Sequence, residues 1–591
     1  MKKMTRMLCL LLALLFLLSA CNHDSAPTAT PTVPTTTQPA GPVVPVIADF
    51  NRPLPTLPES KVTATPGAND LILARDGAAN ATIVYAAGAS KAHSAAKDLA
   101  NYLQKIVGSA FAFIADDQTL PEGNLILVGY TKKTAELGFA PLTGYPDSEK
   151  FYIGVKDHCL VLYGNDEGPY QCTQYAVTRF LEEAGCAWLS TEEIWNVIPS
   201  CSTLAVKPWG QTFAPRFRSR TMGGLSSTLG NRWMLGGDSH QIGHALLWLI
   251  GKGYYNDHPE WYAMIKGERS SPMGWWQPCY SNEALAEMVA GKVKDIFRKN
   301  AYQNNYSIAA NDGWEEGWCE CDDCAALGNH TDQMLTFANR VAQIVSQEYP
   351  DRTVSILAYH ETFLPPLQTK AHQNVEVMFC TETNPLADFS LDYPIHLGKN
   401  GVTHVTYTQS WKASCQQYID ETNLQTAAIW SWFCISGERP AWSAAPWVQG
   451  NTVNRIFDQF ESMGVERVFA DCGGEKTMFR WALFYVYARS MWDDVVDGET
   501  LLYATCKKLY GEAADEMFLY YRTLADCAAV CISDDGITWV PPAPFQVYGD
   551  YIFEIDATVA AVNEKLSQLT DVQKERAEHQ IRMWAYAKQS L

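Results

Sequence analysis

The feature that most constrains this chain is an alternation that begins at Arg216. Eight short apolar or β-branched runs recur there: Phe217–Met222, Ala245–Ile250, Tyr306–Ala310, Thr353–Tyr359, Val375–Cys380, His404–Thr408, Ala427–Trp432 and Arg467–Asp471. Between them lie longer stretches, among them Asn282–Lys299, Asp332–Tyr349 and Val453–Met463, with apolar residues at helical spacing. Strands alternating with helices pair in parallel, and eight such units close into a barrel. The expected fold class is therefore α/β: a (β/α)8-like barrel over 211–476, preceded by a small α/β accessory domain over 47–210 and followed by a helical C-terminal region over 477–591.

The flanks support that division. At 591 residues the chain has room for about two to four domains. Strand patterns at Thr82–Ala86, Asn124–Gly129, Phe151–Val155 and Cys159–Tyr163 alternate with helical patterns at Ala89–Val107 and Tyr170–Ala184. Beyond the barrel, Thr477–Ala529 reads as helical and aromatic, with a break at Leu509-Tyr510-Gly511, and Asp571–Lys588 reads as a last helix.

The N-terminus reads as an export signal. Lys2, Lys3 and Arg6 precede the apolar run Leu8–Leu18 and then Leu18-Ser19-Ala20-Cys21, which is similar to a bacterial lipobox with Cys21 as the lipidated residue. The run is too short to span a membrane. Residues 22–46 are rich in Pro, Thr and Ala and read as an extended tether. The expected location is the bacterial cell surface, with membrane contact through the lipid anchor alone. A net charge of -20 and a pI near 5.1 exclude nucleic acid as a partner, because phosphate binding needs a basic patch.

Carboxylates and aromatics collect at the strand ends. The stretch Ser307–Leu327 stops at the turn Asn311-Asp312-Gly313 and then crowds six carboxylates and three cysteines between Asp312 and Cys324. Glycoside hydrolysis commonly uses two carboxyl groups, one donating a proton to the leaving oxygen and the other acting as base, nucleophile or stabiliser. Glu361, after the strand pattern SILAYH, is the first choice for the acid; Asp312 is the second carboxylate, and Asp471 and Glu475 follow. His244, Trp314, Tyr359, His360, Trp411 and Trp432 are the expected sugar-binding residues, with Trp430 and Tyr407 nearby in sequence. No phosphate cradle or zincin helix is present, and no cofactor is expected for catalysis.

The cysteines allow two readings. Cys319, Cys321 and Cys324, with Cys279 as a fourth thiolate, suit a tetrahedral structural zinc. One or two disulfides pinning the loop suit an exported protein equally. Cys172 and Cys186 are a further pair whose spacing allows a bridge.

Segments of the chain resemble known proteins. Gly168–Ser190 is similar to the end of the non-catalytic α/β domain that precedes the barrel in β-hexosaminidases and α-glucuronidases. His258–Ser270, Ser307–Leu327, Phe337–Pro366 and Leu509–Tyr521 resemble the bacterial barrel proteins grouped as domain of unknown function 4838, over roughly Phe213–Leu524. That grouping includes glycoside hydrolase family 163, so the resemblance implies an endo-β-N-acetylglucosaminidase acting on N-glycans. Hexosaminidases of this general type use an adjacent Asp-Glu pair. Here Glu361 matches the acid, and His360 stands where the Asp would be. Two other functions share many of these features: an α-glucuronidase-like exo-hydrolase, with Arg216, Arg218, Arg220 and Arg232 available to clamp a substrate carboxylate, and a non-catalytic glycan-binding lipoprotein.

Overall fold

The computed structural model describes residues 52–270, 276–312, 317–381, 391, 394–399, 403–432, 448–450, 452–472, 481–492, 497–534 and 548–589. Cys21, Trp314 and Glu475 lie outside the described residues.

The N-terminal part is a six-stranded sheet. Strands β1 (Ala81–Tyr85), β2 (Ala112–Ala115), β3 (Asn124–Val128), β4 (Phe151–Lys156), β5 (Cys159–Gly164) and β6 (Gly210–Phe213) lie in the order β6-β4-β5-β3-β1-β2. Helices α1 (Ser90–Val107) and α2 (Cys172–Glu183) pack together on it. Alanines and leucines three and four apart on α1 (Ala92, Ala95, Ala96, Leu99, Leu103) are all buried, as the sequence spacing requires. The helix ends at Gly108, whose φ of 88° is the left-handed conformation that closes it. Cys172 and Cys186 are both unbridged and buried.

The barrel is a nearly closed eight-stranded sheet. Its parallel strands are β7 (Ser219–Met222), β8 (Ser239–His240), β9 (Gln303–Ser307), β10 (Thr353–Ala358), β11 (Val375–Cys380), β12 (Thr426–Ser431) and β13 (Val465–Ala470). The sheet runs from Gly236–Gly237 through β7, β13, β12, β11, β10 and β9 to β8. Gly236–Gly237 pairs antiparallel with β7 and leads, two residues on, into β8 at the opposite end of the sheet. Side-chain-free residues are required at this seam: a Cβ on Gly237 would stand 2.1 Å from the Arg218 carbonyl oxygen.

Two strand expectations are corrected. Ala245–Ile250 is not a strand; Leu246–Ile250 is a short helix that buries Leu246, Leu249 and Ile250 and exposes Trp248. Burial at that spacing is helical, and a short apolar run does not reveal it. The strand that occupies this place, β8, has two polar residues and no β signature. The His404–Thr408 run is a strand, Thr403–Ser410, but it pairs antiparallel with Pro394–Lys399, and β11 pairs directly with β12.

Side chains alternate along each strand, so every second residue points into the barrel. Ser355 lies beside Glu376 in the sheet, Leu357 beside Met378, Met378 beside Ala428, and Cys380 beside Trp430. The interior is therefore layered: a polar layer of Asn305, Ser355, Glu376 and Arg467 at the strand starts, then an apolar layer. Ala309, Leu357, Met378, Cys380 and Ala428 form that apolar layer, and Ile242, Tyr359 and Trp430 pack against it.

Helices α3 (Glu283–Lys299), α4 (His330–Ser346), α5 (Trp411–Thr422) and α6 (Thr452–Ser462) follow strands of the barrel. The C-terminal region holds α7 (Trp481–Ser490), α8 (Gly498–Tyr510), α9 (Ala514–Asp534), α10 (Ile552–Lys565) and α11 (Asp571–Lys588), with Gly511 at the expected break. It is tied to the first domain: Lys508 donates to the Glu182 and Cys186 carbonyls, and Arg489 pairs with the Glu182 carboxylate at 2.8 Å. Among the described residues no helix is long and apolar enough to cross a membrane.

Candidate active site

The C-terminal ends of six barrel strands bring one group of residues together. Parallel strands deliver their following loops to one end, which is where barrel enzymes place their reacting groups. His244 follows β8, Asp312 follows β9, Tyr359-His360-Glu361 follow β10, Cys380 ends β11, Trp430 lies in the last turn of β12 and Asp471 follows β13.

The fourth strand end is the most constrained. Thr362 Oγ1 donates to the Leu357 and Tyr359 carbonyls at 2.9 and 3.0 Å, which folds His360–Thr362 into a tight helical turn. His360 takes a φ of 48°, a left-handed conformation that costs a non-glycine residue energy and is found where structure over-determines it. Farther along the same loop, buried Asp332 accepts the backbone N–H groups of Leu367, Gln368 and Thr369. The segment carrying Glu361 is thus held at both its start and its end.

Electrostatics couple several of these groups. Burial lowers the His360 imidazole to about 4, with Asp312 acting to raise it and His244 to lower it further. It is therefore neutral at pH 7. Burial likewise pushes the Cys380 thiol up, and the charges of Asp312 and Asp471 both add to that effect. One thiol at the centre of the floor is thus within the field of carboxylates from two different strand ends. Asp312 is exposed and Asp471 half-buried. Burial raises the Asp471 carboxyl, and the Trp430 indole opposes the rise, although its N–H stands outside hydrogen-bond geometry.

The aromatic wall is built from fewer rings than the sequence offers. His244 lies 6.0 Å from the Tyr359 ring and 6.2 Å from Trp430. Its Nδ1 donates to the Ala310 carbonyl at 2.6 Å; a carbonyl only accepts, so Nδ1 carries the proton. Trp411 is not a sugar platform: it is fully buried on α5, and its indole N–H donates to the Cys380 carbonyl at 3.0 Å, beneath the floor. Trp432 is half-buried just past β12, its backbone N–H bound to Thr381 Oγ1.

The four arginines proposed as a carboxylate clamp are all engaged elsewhere. Arg220 is buried against Glu149, Arg216 pairs with Asp458 and Glu461, Arg218 with Asp147, Asp238 and Glu466, and Arg232 with Asp98. Sequence reasoning missed Cys380 and placed Trp430 among the aromatics beside the carboxylates without choosing it as a sugar-binding residue. The signal for Cys380 was the period of two along VEVMFC, in which Glu376 marks the inward face, and Trp430 on β12 is paired with Cys380.

Away from the mouth, Cys279, Cys319, Cys321 and Cys324 come together, all buried, with their sulfurs within 4.8 Å of one another. The Cys279 sulfur lies 3.7 Å from that of Cys321 and 3.8 Å from that of Cys324, well beyond the roughly 2.05 Å of a disulfide.

The profile of the family described as "Domain of unknown function (DUF4838)" matches residues 195–522, more than half of the chain. The chain belongs to the DUF4838 family. No curated protein matches this DUF4838 chain. Among solved structures, similarity is found to a family GH115 4-O-methyl-α-glucuronidase with specificity for decorated arabinogalactans, at 12% identity and a TM-score of 0.48, covering 86% of this chain and 71% of that one. A family 89 enzyme from Clostridium perfringens, solved with its substrate GlcNAc-α-1,4-galactose, is similar at 7% identity and a TM-score of 0.45, over 84% of this chain and 60% of that one. The N-acetyl-β-hexosaminidase of Streptomyces plicatus is similar at 11% identity and a TM-score of 0.37, over 80% and 97%. At these values none of the three sets the chemistry of the DUF4838 chain.

Proposed function

We propose that this protein is a glycoside hydrolase working at the C-terminal mouth of its barrel, with endo-β-N-acetylglucosaminidase action on N-glycans as the specific reaction. The observation that carries the reading is the delivery of three carboxyl groups, Asp312, Glu361 and Asp471, from three strand ends to one mouth lined by Tyr359 and Trp430. Glycosidic cleavage needs a carboxyl that is protonated before reaction and another that is not. Exposed Asp312 suits the ionised role. Glu361, on the braced turn after β10, is the proton donor, and neutral His360 beside it is suited to hydrogen-bond a sugar hydroxyl.

Asp471 is a rival for the donor, because burial favours its protonated form. An α-glucuronidase-like exo-hydrolase loses support, since its arginines are already paired. The export signal and Cys21 support action at the cell surface on a lipid anchor.

The test is product analysis by mass, using the chain without residues 1–46 on N-glycoproteins, chitooligosaccharides and glucuronoxylan fragments. Cleavage within the N-glycan core is expected. Release of a uronic acid alone would point to the exo-hydrolase, and binding without turnover to a glycan-binding lipoprotein. Glu361→Gln should abolish turnover of natural glycans, keep binding, and spare hydrolysis of an aryl glycoside whose leaving group needs no proton. If Asp471→Asn shows that pattern instead, the donor is Asp471.

A further inference from the structure

We propose that Cys279, Cys319, Cys321 and Cys324 form a closed tetrathiolate zinc site that holds the Asp312 loop against the barrel. Zinc bound by four thiolates at about 2.3 Å sets sulfurs at tetrahedron corners roughly 3.8 Å apart. The separations of 3.7 and 3.8 Å from Cys279 match that edge. Four thiols converging on a single point are more than packing requires, since a buried cysteine otherwise behaves as a small apolar residue with no need of others.

The surroundings suit negative sulfur. The Met264 backbone N–H points at Cys319 Sγ from 3.2 Å, and the Arg269 guanidinium approaches the same sulfur at 3.9 Å. Ser281 Oγ lies 3.3 Å from Cys279 Sγ and 3.2 Å from Cys324 Sγ. Such donors orient thiolates and offset the charge of a tetrathiolate centre. All four positions are filled by protein, so the site is structural and leaves no place for a reacting water.

The site joins three segments of the chain. Besides the run from Cys319 to Cys324 and the turn bearing Cys279, the Met264–Arg269 hairpin is tied in through Glu320, whose backbone N–H donates to the Met264 carbonyl at 2.7 Å. Cys279 is two residues from Gln277, which grips both sides of the catalytic loop. Its side chain donates to the Asn311 carbonyl at 2.8 Å and accepts the Asn311 N–H at 3.0 Å, and its own N–H donates to the Gly317 carbonyl at 3.0 Å. Asp312 is the next residue after Asn311. A metal at the cysteines therefore fixes the clamp that fixes Asp312.

Metal analysis by mass spectrometry of the full chain, purified without added metal, tests this. One zinc per chain is expected, released when a mercurial reagent titrates the thiols and detected with a colorimetric chelator. Cys279→Ser with Cys321→Ser should lose the metal. Should that variant fail to fold, the wild-type metal content decides alone. Stripping zinc from the wild type should open the segment 262–324 to limited proteolysis before the first domain. Zinc-free folded protein would overturn the proposal, whether its four cysteines map into disulfides or alkylate as free thiols, and so would iron in place of zinc. None of these readouts depends on glycosidase activity, so the zinc site and the proposed function fail separately.

Discussion

The two ends of the barrel treat the same kinds of side chain in opposite ways. At the strand starts, Glu376 accepts Arg467 Nη1 at 2.6 Å and His240 Nε2 at 2.5 Å, while Arg467 also holds Asp238 at 2.8 Å. Burial pushes Glu376 up, but His240 and Arg467 outweigh it and hold its carboxyl at about 2. At the strand ends, burial raises the Asp471 carboxyl, and among the described residues no cation acts against that rise. His240 is locked to a carboxylate, whereas His360 is kept neutral by burial. Pairing makes the lower end a structural layer, whereas at the upper end burial is the largest influence on the protonation of His360 and Asp471, which chemistry can use. Position along a strand, more than residue type, separates the two roles.

The largest expected difference is in activity. Asp312→Asn should lower kcat/KM by about 100- to 10,000-fold, the usual weight of a general acid or base, while leaving the melting temperature nearly unchanged because Asp312 is exposed. Steady-state kinetics and a thermal melt on one preparation check both halves. Glu376→Gln should do the reverse, costing ~3–5 kcal/mol in urea unfolding by removing one of the two buried carboxylates that hold Arg467. Equal losses of activity and stability in both variants would erase the distinction between the ends.

Acid sharpens the contrast. Glu376 has a folded-state value near 2 against an ordinary 4.5, so its contribution is complete above 4.5 and is lost as pH falls toward 2. The stability of the wild type should fall across that window, and Glu376→Gln should flatten the fall. His360, with its folded value depressed to about 4 from 6.5, favours folding above pH 6.5 and loses that contribution between 6.5 and 4. NMR of its ring protons should show a midpoint near 4; a midpoint near 6.5 would mean that the imidazole is not buried as described.

Much of this organisation was legible in the sequence. Val375–Cys380 announces itself because five of its six residues are apolar, as in a strand buried in a parallel sheet, and the long helices announce themselves by period. The region Asp571–Lys588 forms a helix with the expected bounds, capped by Thr570. Hidden instead was β8, because Ser239 and His240 serve the polar layer and carry no strand signature. Asp312, His360 and Asp471 could be nominated from their places after strand patterns, since the fold sends all such places to one end. Their separation from Glu376 could not, because it depends on cross-barrel partners, Arg467 and His240, distant in sequence. Trp411 was misread for a similar reason: helix α5 turns it inward, and composition alone does not distinguish a ring under the floor from one above it.

Trp411 and Trp430 together give the smallest predicted effect and the finest test of the contrast. Trp411→Phe keeps an aromatic ring in the core but removes the hydrogen bond to the Cys380 carbonyl and some volume, so a stability loss of ~1–2 kcal/mol is expected. KM for a glycan substrate should not change, because the ring never meets solvent. Trp430→Phe keeps a half-buried ring on the floor beside Asp471 and His244, and should alter KM and the pH profile more than the melting temperature. If Trp411→Phe raised KM while Trp430→Phe left it alone, the surface that meets sugar would have to be the other side of the floor, and the division between a sealed lower barrel and a working upper mouth would be drawn in the wrong place.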